Sequence, residues 1–331
     1  MEITLDDSDP EQLLKDIKQI LANSEVNYDE ECFKLSKLTG GTSNTIYCVD
    51  ISSSEKLLFK IYGEGSEQFI DRRQEIENMK LLAKHSLGAD VVAEFCNGIC
   101  YRYINGDSIH HADVIDPGIS SLIASKMAQM HQIPVESEEC VLWTRISQFI
   151  SLVPEFDHIY VDGLLERKQD LVSELEFLKS LLENCCSPLV LCHNDLNLPN
   201  ILYNDSDKTV HFIDVEYAGC NYAAFDIANH FVEFVEFHDV RNPKLDFVKY
   251  FPSKDFQMEW LCKYYAAMNQ DKAVEELDEM YVLVQKFVLS SHLMWGAWSL
   301  VQAKLSKIDF NFEVFAQQRL QEYARMKTIV I

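Results

Sequence analysis

The chain has 331 residues, and at roughly 100–200 residues per domain that allows two domains or lobes with a sizeable core. With 47% hydrophobic and 25% charged residues and only 11 Gly and 8 Pro, the composition is that of a soluble globular chain, not a disordered or collagen-like one. Against 53 Asp and Glu stand 29 Lys and Arg, a net charge of −24, which makes a nonspecific binder of nucleic acid or of anionic membrane surfaces a poor reading.

Residues 10–22 place Leu13, Leu14, Ile17, Ile20 and Leu21 at helical spacing and predict an amphipathic opening helix. β-prone runs follow at 34–38, 45–51 and 57–62, separated by Gly40-Gly41-Thr42-Ser43-Asn44 and by Ser52-Ser53-Ser54-Glu55, which reads as a small antiparallel sheet. Helical periodicity returns over 67–84 through Phe69, Ile76, Met79, Leu82 and Ala83, and strand-like runs come at 91–95 and 99–104. Past Gly106 the chain reads as mainly helical, over 117–132, 142–152, 163–185, 255–268 and 273–305. The exception is 189–217, where 189–192, 200–203 and 210–214 are short β-prone runs joined by polar turns. The order gives an α+β chain: an N-terminal lobe, 1–105, built from a small antiparallel sheet plus one helix, and a larger, mainly helical C-terminal lobe, 106–331.

The ten cysteines stand mostly alone, and the close pairs Cys96 with Cys100 and Cys185 with Cys186 lack CxxC spacing, so reduced thiols are expected. Met1 to Asp7 shows no basic region followed by an apolar core, which makes the cytoplasm the expected address. The most apolar stretch, 287–301, is shorter than the ~20 residues a bilayer demands and is interrupted by His292 and several serines; it predicts a buried helix and no stable membrane insertion.

His193-Asn194-Asp195-Leu196-Asn197-Leu198-Pro199-Asn200 follows an apolar run, and Asp214 comes fourteen residues beyond Asn200. Two acids and an amide in this order, each beside a short strand, suit metal-assisted phosphoryl transfer. Asp195 would accept or orient the proton of an attacking hydroxyl, and Asn200 and Asp214 would supply the hard oxygen ligands that Mg²⁺ on ATP phosphates requires. His193 is expected to hold the loop by hydrogen bonding. The bland alternative is an acidic turn with a helix-capping Asp. In the N-terminal lobe, Lys60 stands in a strand and Glu75 early in the next helix, the order in which a strand lysine is held by a helix carboxylate and aimed at nucleotide phosphates. Alone, such a pair is usually two solvated charges. The loop Gly40 to Asn44 reads equally as a phosphate wrap or as an ordinary hairpin turn, being neither GxGxxG nor a Walker A loop.

The segments 191–196 and 200–203, followed by Phe212-Ile213-Asp214-Val215-Glu216-Tyr217-Ala218-Gly219-Cys220-Asn221-Tyr222 and Ala223-Ala224-Phe225-Asp226-Ile227-Ala228-Asn229-His230-Phe231, strongly resemble the choline/ethanolamine kinases. The similarity extends to 38–44, 58–63, 97–101, and to 292–298 with 302–304, and covers nearly the whole chain from about residue 33. It implies a two-lobed protein-kinase-like fold that transfers the γ-phosphate of MgATP to the hydroxyl of ethanolamine or choline, the first step of CDP-ethanolamine or the parallel phospholipid synthesis. By motif position it implies Asp195 as catalytic base, Asn200 and Asp214 as Mg²⁺ ligands, Lys60 and Glu75 as the phosphate-positioning pair, and Gly41, Thr42, Ser43 and Asn44 around the nucleotide. Segment 101–106, with Tyr101 and Ile104, is then the hinge whose backbone faces adenine. The resemblance leaves room for a homodimer through the N-terminal lobe, with the opening helix serving either that contact or simple packing.

A small cationic acceptor needs aromatic faces or carboxylates around it. Trp295 and Trp298 lie about one helical turn apart, on a common face, where the family places an aromatic wall. On its own, a Trp pair in an apolar helix reads as core packing before it reads as a binding wall. Glu233 is the matching carboxylate, with an exposed helix charge as its bland reading, and Phe310 and Phe315 fall where the family continues the wall. Choline-specific members often carry Tyr at Phe315, and His238 stands where some have an aromatic residue, which weakens choline. Segments 66–72, 97–101 and 142–154 are more similar to ethanolamine kinases, so ethanolamine is the expected acceptor and choline, or both, the alternative. An aminoglycoside-type phosphotransferase would share the HxDxxxxN chemistry, but not the Trp pair or the 221–231 run. A Ser/Thr protein kinase would need GxGxxGxV, DFG and APE, which are missing, and a nonenzymatic scaffold would be expected to lack Asp195, Asn200 or Asp214, all present.

Overall fold

The computed structural model describes residues 1–38, 44–63, 65–135, 139–154, 167–236, 239 and 241–331, and the chain divides into two units, Met1–Asn105 and Gly106–Ile331. In the first unit Asp9 caps helix α1 (Pro10–Asn23): its carboxylate accepts the backbone N–H of Glu11 and Gln12, and Pro10 takes the first helical position, where no N–H is needed. The stripe Leu13, Ile17, Ile20 and Leu21 is buried against Val49, Leu57, Phe59, Phe95 and Cys100. Each of these side chains gains about 1.5–3 kcal/mol from leaving water, so the apolar face of α1 belongs to this unit's own core. Strands β1 (Lys34–Leu38), β2 (Asn44–Asp50), β3 (Lys56–Tyr62), β4 (Val91–Phe95) and β5 (Gly98–Arg102) form a five-stranded antiparallel sheet in the order β1-β2-β3-β5-β4. Register places Lys60 opposite Ile46 and Ile99, at the middle of the sheet.

One helix departs from the sequence expectation. The periodicity over 67–84 is broken: a 3₁₀ turn covers Ser66–Gln68, and α2 (Arg72–Lys84) starts only after Asp71. The Asp71 carboxylate accepts the N–H of Arg73 and Gln74, an N-cap that restarts the helix and fixes where Arg72 and Glu75 emerge.

In the second unit β6 (Asp107–Ser108) precedes α3 (His111–Val114), α4 (Pro117–His131), α5 (Val141–Leu152) and α6 (Lys168–Leu182). The expected start of α6, at 163–166, lies outside the described residues. Then come β7 (Leu189–Cys192), β8 (Ile201–Asn204), β9 (Thr209–Phe212), β10 (Gly219–Tyr222), α7 (Ala223–Val232), α8 (Phe247–Tyr250), α9 (Lys254–Ala267), α10 (Val274–Leu305) and α11 (Phe312–Val330). β8 pairs with β6 and β9, and β7 with β10, all antiparallel. Gly106 at φ +147 lets β6 approach β8, since a Cβ there would lie 3.1 Å from the Tyr203 carbonyl oxygen. The sequence pattern did not single out β10, α7 or α11. Every residue of α7 is buried, so it carries no alternation of wet and dry faces to read. The apolar stretch expected as a buried helix lies inside α10, where 287–297 is buried throughout. Among the described residues no helix is long and apolar enough to cross a membrane.

Candidate active site

β7 delivers the chain to His193 at the base of the site. The N–H of His193 donates to Oδ2 of Asp226 at 2.8 Å and that of Asn194 to Oδ1 at 2.7 Å, so one buried carboxylate from α7 holds the loop entry. Asn194 lies in the left-handed region at φ 66, a conformation Asn tolerates. Its amide is locked there by donation to the Tyr217 carbonyl at 2.9 Å and by acceptance from Asn221 at 2.7 Å. Burial would push Asp226 up, but His131, whose Nε2 is 3.0 Å away, and His193 outweigh it and hold the carboxyl below its ordinary value.

His193 acts as the expected strut. Its Nε2 donates to the Ile213 carbonyl at 2.9 Å and its Nδ1 accepts the N–H of Asp195 at 3.3 Å, which ties the Asp195 loop to the residue before Asp214. Burial lowers its pKa, keeping the ring neutral. The Asp195 carboxylate is fixed by two amides: Asn197 Nδ2 reaches Oδ1 and Asn200 Nδ2 reaches Oδ2, both at 3.2 Å. Asn197, which the sequence analysis assigned no role, also accepts the Asn200 N–H and so shapes the turn between them. Ile213 N–H donates to the Asn200 carbonyl at 3.0 Å, bringing Asp214 beside Asn200. Asp214 is exposed, in the left-handed region at φ 57, while Glu216 behind it is buried.

Burial, then the carboxylates of Glu233, Asp214 and Glu216, hold the Asp195 carboxyl well above the ordinary carboxylate range. Such crowding of acids, with an amide oxygen at Asn200, is the donor set that a hard divalent cation fits. The Asn200 amide nitrogen is committed to the carbonyl and carboxylate of Asp195, which leaves Oδ1 as the acceptor end of that side chain.

In the first unit Lys60 Nζ lies 2.8 Å from Glu75 Oε1, and both are buried. The sequence missed a third member. Arg72 Nη1 binds Glu75 Oε2 at 2.8 Å, while Nη2 reaches Asn44 Oδ1 at 3.0 Å and Ser66 Oγ at 2.6 Å. One carboxylate therefore pairs with two cations. Gly41, Thr42 and Ser43 lie outside the described residues, as does His238. Tyr101 is half-buried on β5 opposite Leu58, and Ile104 is half-buried two residues past the strand end.

On α10, Trp295 and Trp298 meet edge to face at 5.5 Å. Both indole N–H groups are used: Trp295 donates to Asn229 Oδ1 at 2.8 Å and Trp298 to the Tyr217 hydroxyl at 2.9 Å. Tyr217 stacks edge-on against Trp295 at 5.3 Å, and Phe312 against Trp298 at 5.7 Å, continuing to Phe310 and from there to Phe315. Tyr217 and Phe312 went unassigned in the sequence; the signal for Tyr217 was its place in the 212–231 run. Arg145 of α5, also unassigned, donates to the same Tyr217 carbonyl as Asn194, at 2.8 Å. Glu233, directly after α7, is no ordinary exposed helix charge: its side chain is mostly buried and ion-paired to Arg319 of α11.

A family model described as choline/ethanolamine kinase matches residues 35–324. Ethanolamine kinase 1 of Mus musculus is 32% identical, covering 99% of this chain and 93% of that protein. The probable ethanolamine kinase of Nematostella vectensis is 36% identical over 95% of this chain and 93% of its own. Among solved structures, the ethanolamine kinase of Plasmodium vivax superposes with a TM-score of 0.80 at 24% identity, covering 95% of this chain and 89% of that one, which shows the protein-kinase-like fold. With the phosphotransferase loop, its Asp226 anchor and this match along nearly its full length, the chain belongs to the choline/ethanolamine kinase family.

Proposed function

We propose that the protein is an ethanolamine kinase, transferring the γ-phosphoryl group of ATP to the ethanolamine hydroxyl to give phosphoethanolamine and ADP. The observation that carries this is Glu233, a mostly buried carboxylate close enough to Asp195 to raise its pKa. A primary ammonium has three N–H donors and seeks such an acceptor. Asp195, held by Asn197 and Asn200, takes or orients the hydroxyl proton as the oxygen attacks. Lys60, oriented by Glu75 and supported by Arg72, holds the phosphates. Asn200 and Asp214 hold Mg²⁺, which when bound offsets charge on the phosphate oxygens. Gly41, Thr42, Ser43, Asn44, Tyr101 and Ile104 complete the nucleotide contacts, and Trp295, Trp298, Phe310 and Phe315 wall the acceptor. Choline is the second reading, favoured by the aromatic ladder from Tyr217 to Phe315, since a quaternary ammonium binds through ring faces. Cytoplasmic residence and a homodimer remain part of the proposal.

A coupled ADP-release assay with MgATP, offering ethanolamine and choline in parallel, tests it. Ethanolamine should exceed choline about tenfold or more in kcat/KM, and Asp195→Asn should lose about a thousandfold in kcat while still binding ATP. Absence of turnover with both acceptors would sink the proposal.

A further inference from the structure

Arg319 is buried, at 1% exposure, within the second unit. A guanidinium so placed is costly unless its donors are used, yet Nε and Nη1 have no hydrogen-bond partner among the described residues, and Nη2 binds Glu233 Oε1. Its planar face is flanked by Phe315 at 5.0 Å and Phe247 at 5.3 Å. Rings on the guanidinium limit its rotation, so the fork presents one edge to the carboxylate. Helix packing fixes the distance. A Cβ on Gly296 of α10 would lie 2.7 Å from Leu320 Cδ2 and 3.7 Å from Arg319 Cβ, so the glycine is what lets α11 come close enough for Arg319 to reach the end of α7. His292, beside this cluster, is pushed well below its ordinary pKa by burial and by Arg319 and Arg325, so it adds no second charge.

We propose that Arg319 is a positioning residue for the acceptor: it binds Oε1 of Glu233 and so turns Oε2 toward the acceptor's ammonium, favouring an acceptor that donates N–H over a quaternary one. Phe315, on this view, acts by covering Arg319 as well as by lining the wall. The inference rests on the ethanolamine kinase reading, and the wild-type enzyme separates the two: without turnover of ethanolamine or choline it is that reading which fails.

The test measures KM and kcat for ethanolamine, choline and ATP in Arg319→Gln, Arg319→Lys, Glu233→Gln and the double variants with Glu233→Gln. Arg319→Gln should raise the ethanolamine KM about tenfold or more, with choline KM, ATP KM and kcat each within about threefold. Arg319→Lys keeps the charge without the planar fork and should fall between, near a threefold rise; it decides the matter if Arg319→Gln does not fold. In the Glu233→Gln background either change should add less than about twofold, because the carboxylate through which Arg319 acts is gone. Equal losses for both acceptors and ATP, an unchanged ethanolamine KM in a folded variant, or full additivity with Glu233→Gln would each overturn the proposal.

Discussion

Asp226→Asn tests whether the catalytic loop is held from α7. The wild-type carboxylate accepts from the backbone of His193 and Asn194 and from His131 Nε2, and His131 meets the Tyr264 hydroxyl at 2.7 Å on its other nitrogen. An asparagine offers one oxygen and one NH₂. If the NH₂ takes the Oδ1 position it faces the Asn194 N–H, and if it takes the Oδ2 position it faces both His193 N–H and His131. At least one buried donor is then left without an acceptor, at about 1–3 kcal/mol, and hydrogen bonds of about 1.5–3 kcal/mol each lose their charge. The expected destabilisation is about 3–5 kcal/mol, readable as a lowered urea midpoint at constant slope. Asp195 follows Asn194 directly, so a shift of the anchor on the order of 1 Å should cost about a hundredfold in kcat with both KM values nearly kept. A folded Asp226→Asn enzyme with kcat within about threefold and less than about 1 kcal/mol lost would refute the anchoring argument.

Glu75→Gln leaves Lys60 and Arg72 without their shared carboxylate, and about 3–5 kcal/mol of stability should go with an ATP KM raised about tenfold and the ethanolamine KM unchanged; a rise in the acceptor KM instead would contradict the assignment. His230 donates through Nδ1 to the Leu196 carbonyl while Nε2 is buried without a partner among the described residues, and burial pushes its pKa down to about 4 from 6.5. Because the unfolded chain takes up that proton first, the stability tied to neutral His230 is complete above about pH 6.5 and is lost as pH falls towards 4, by roughly 3 kcal/mol. Urea midpoints at pH 7 and pH 4.5 should therefore converge more in His230→Gln than in wild type, and parallel profiles would rule the effect out. Trp298→Phe removes the indole N–H bonded to the Tyr217 hydroxyl and narrows the wall, so the acceptor KM should rise about three- to tenfold with the ATP KM unmoved.

The Asp195 loop was legible as a unit because Asp195, Asn200 and Asp214 are close in sequence, and two acids and an amide in this order suit metal-assisted phosphoryl transfer. Lys60 and Glu75 were legible as a pair, since a strand followed by a helix returns them to one place. Their third member was not, because Arg72 takes its position from the Asp71 cap that breaks the predicted 67–84 helix. That cap had a visible signal, an Asp ahead of a helical run. α11, which the sequence reading did not single out, carries a similar signal, with Phe312, Ala316, Leu320 and Tyr323 recurring at helical spacing. Arg319 shares that buried face and belongs with them, although its charge argues for solvent. Arg145 and the Arg319–Glu233 pair were beyond reach for a different reason: each acts through a partner more than seventy residues away, and no local period encodes such a contact.

α7 shows what the buried polar groups contribute. Asp226, Asn229, His230 and Glu233 stand at positions i, i+3, i+4 and i+7, so they share one face that runs from the first turn of α7 to its C-cap, where the intervening residues are apolar. Each is committed to a different part of the site. Asp226 holds the entry to the Asp195 loop, His230 holds the Leu196 carbonyl just past it, Asn229 holds Trp295, and Glu233 meets Arg319. Apolar residues of similar size would satisfy the core at least as well, since desolvating polar groups offsets most of what their hydrogen bonds return. What the polar stripe adds is a fixed relation between the proposed base and the proposed acceptor wall, carried on one helix. It follows that substitutions at the Asp226 end should act mainly on kcat, those at Glu233 mainly on the acceptor KM, and Asn229→Ala, which frees Trp295 between the two, on both. If Asn229→Ala changed only the acceptor KM, the helix would not be transmitting position along its length, and the two ends of the stripe would have to be treated as independent sites.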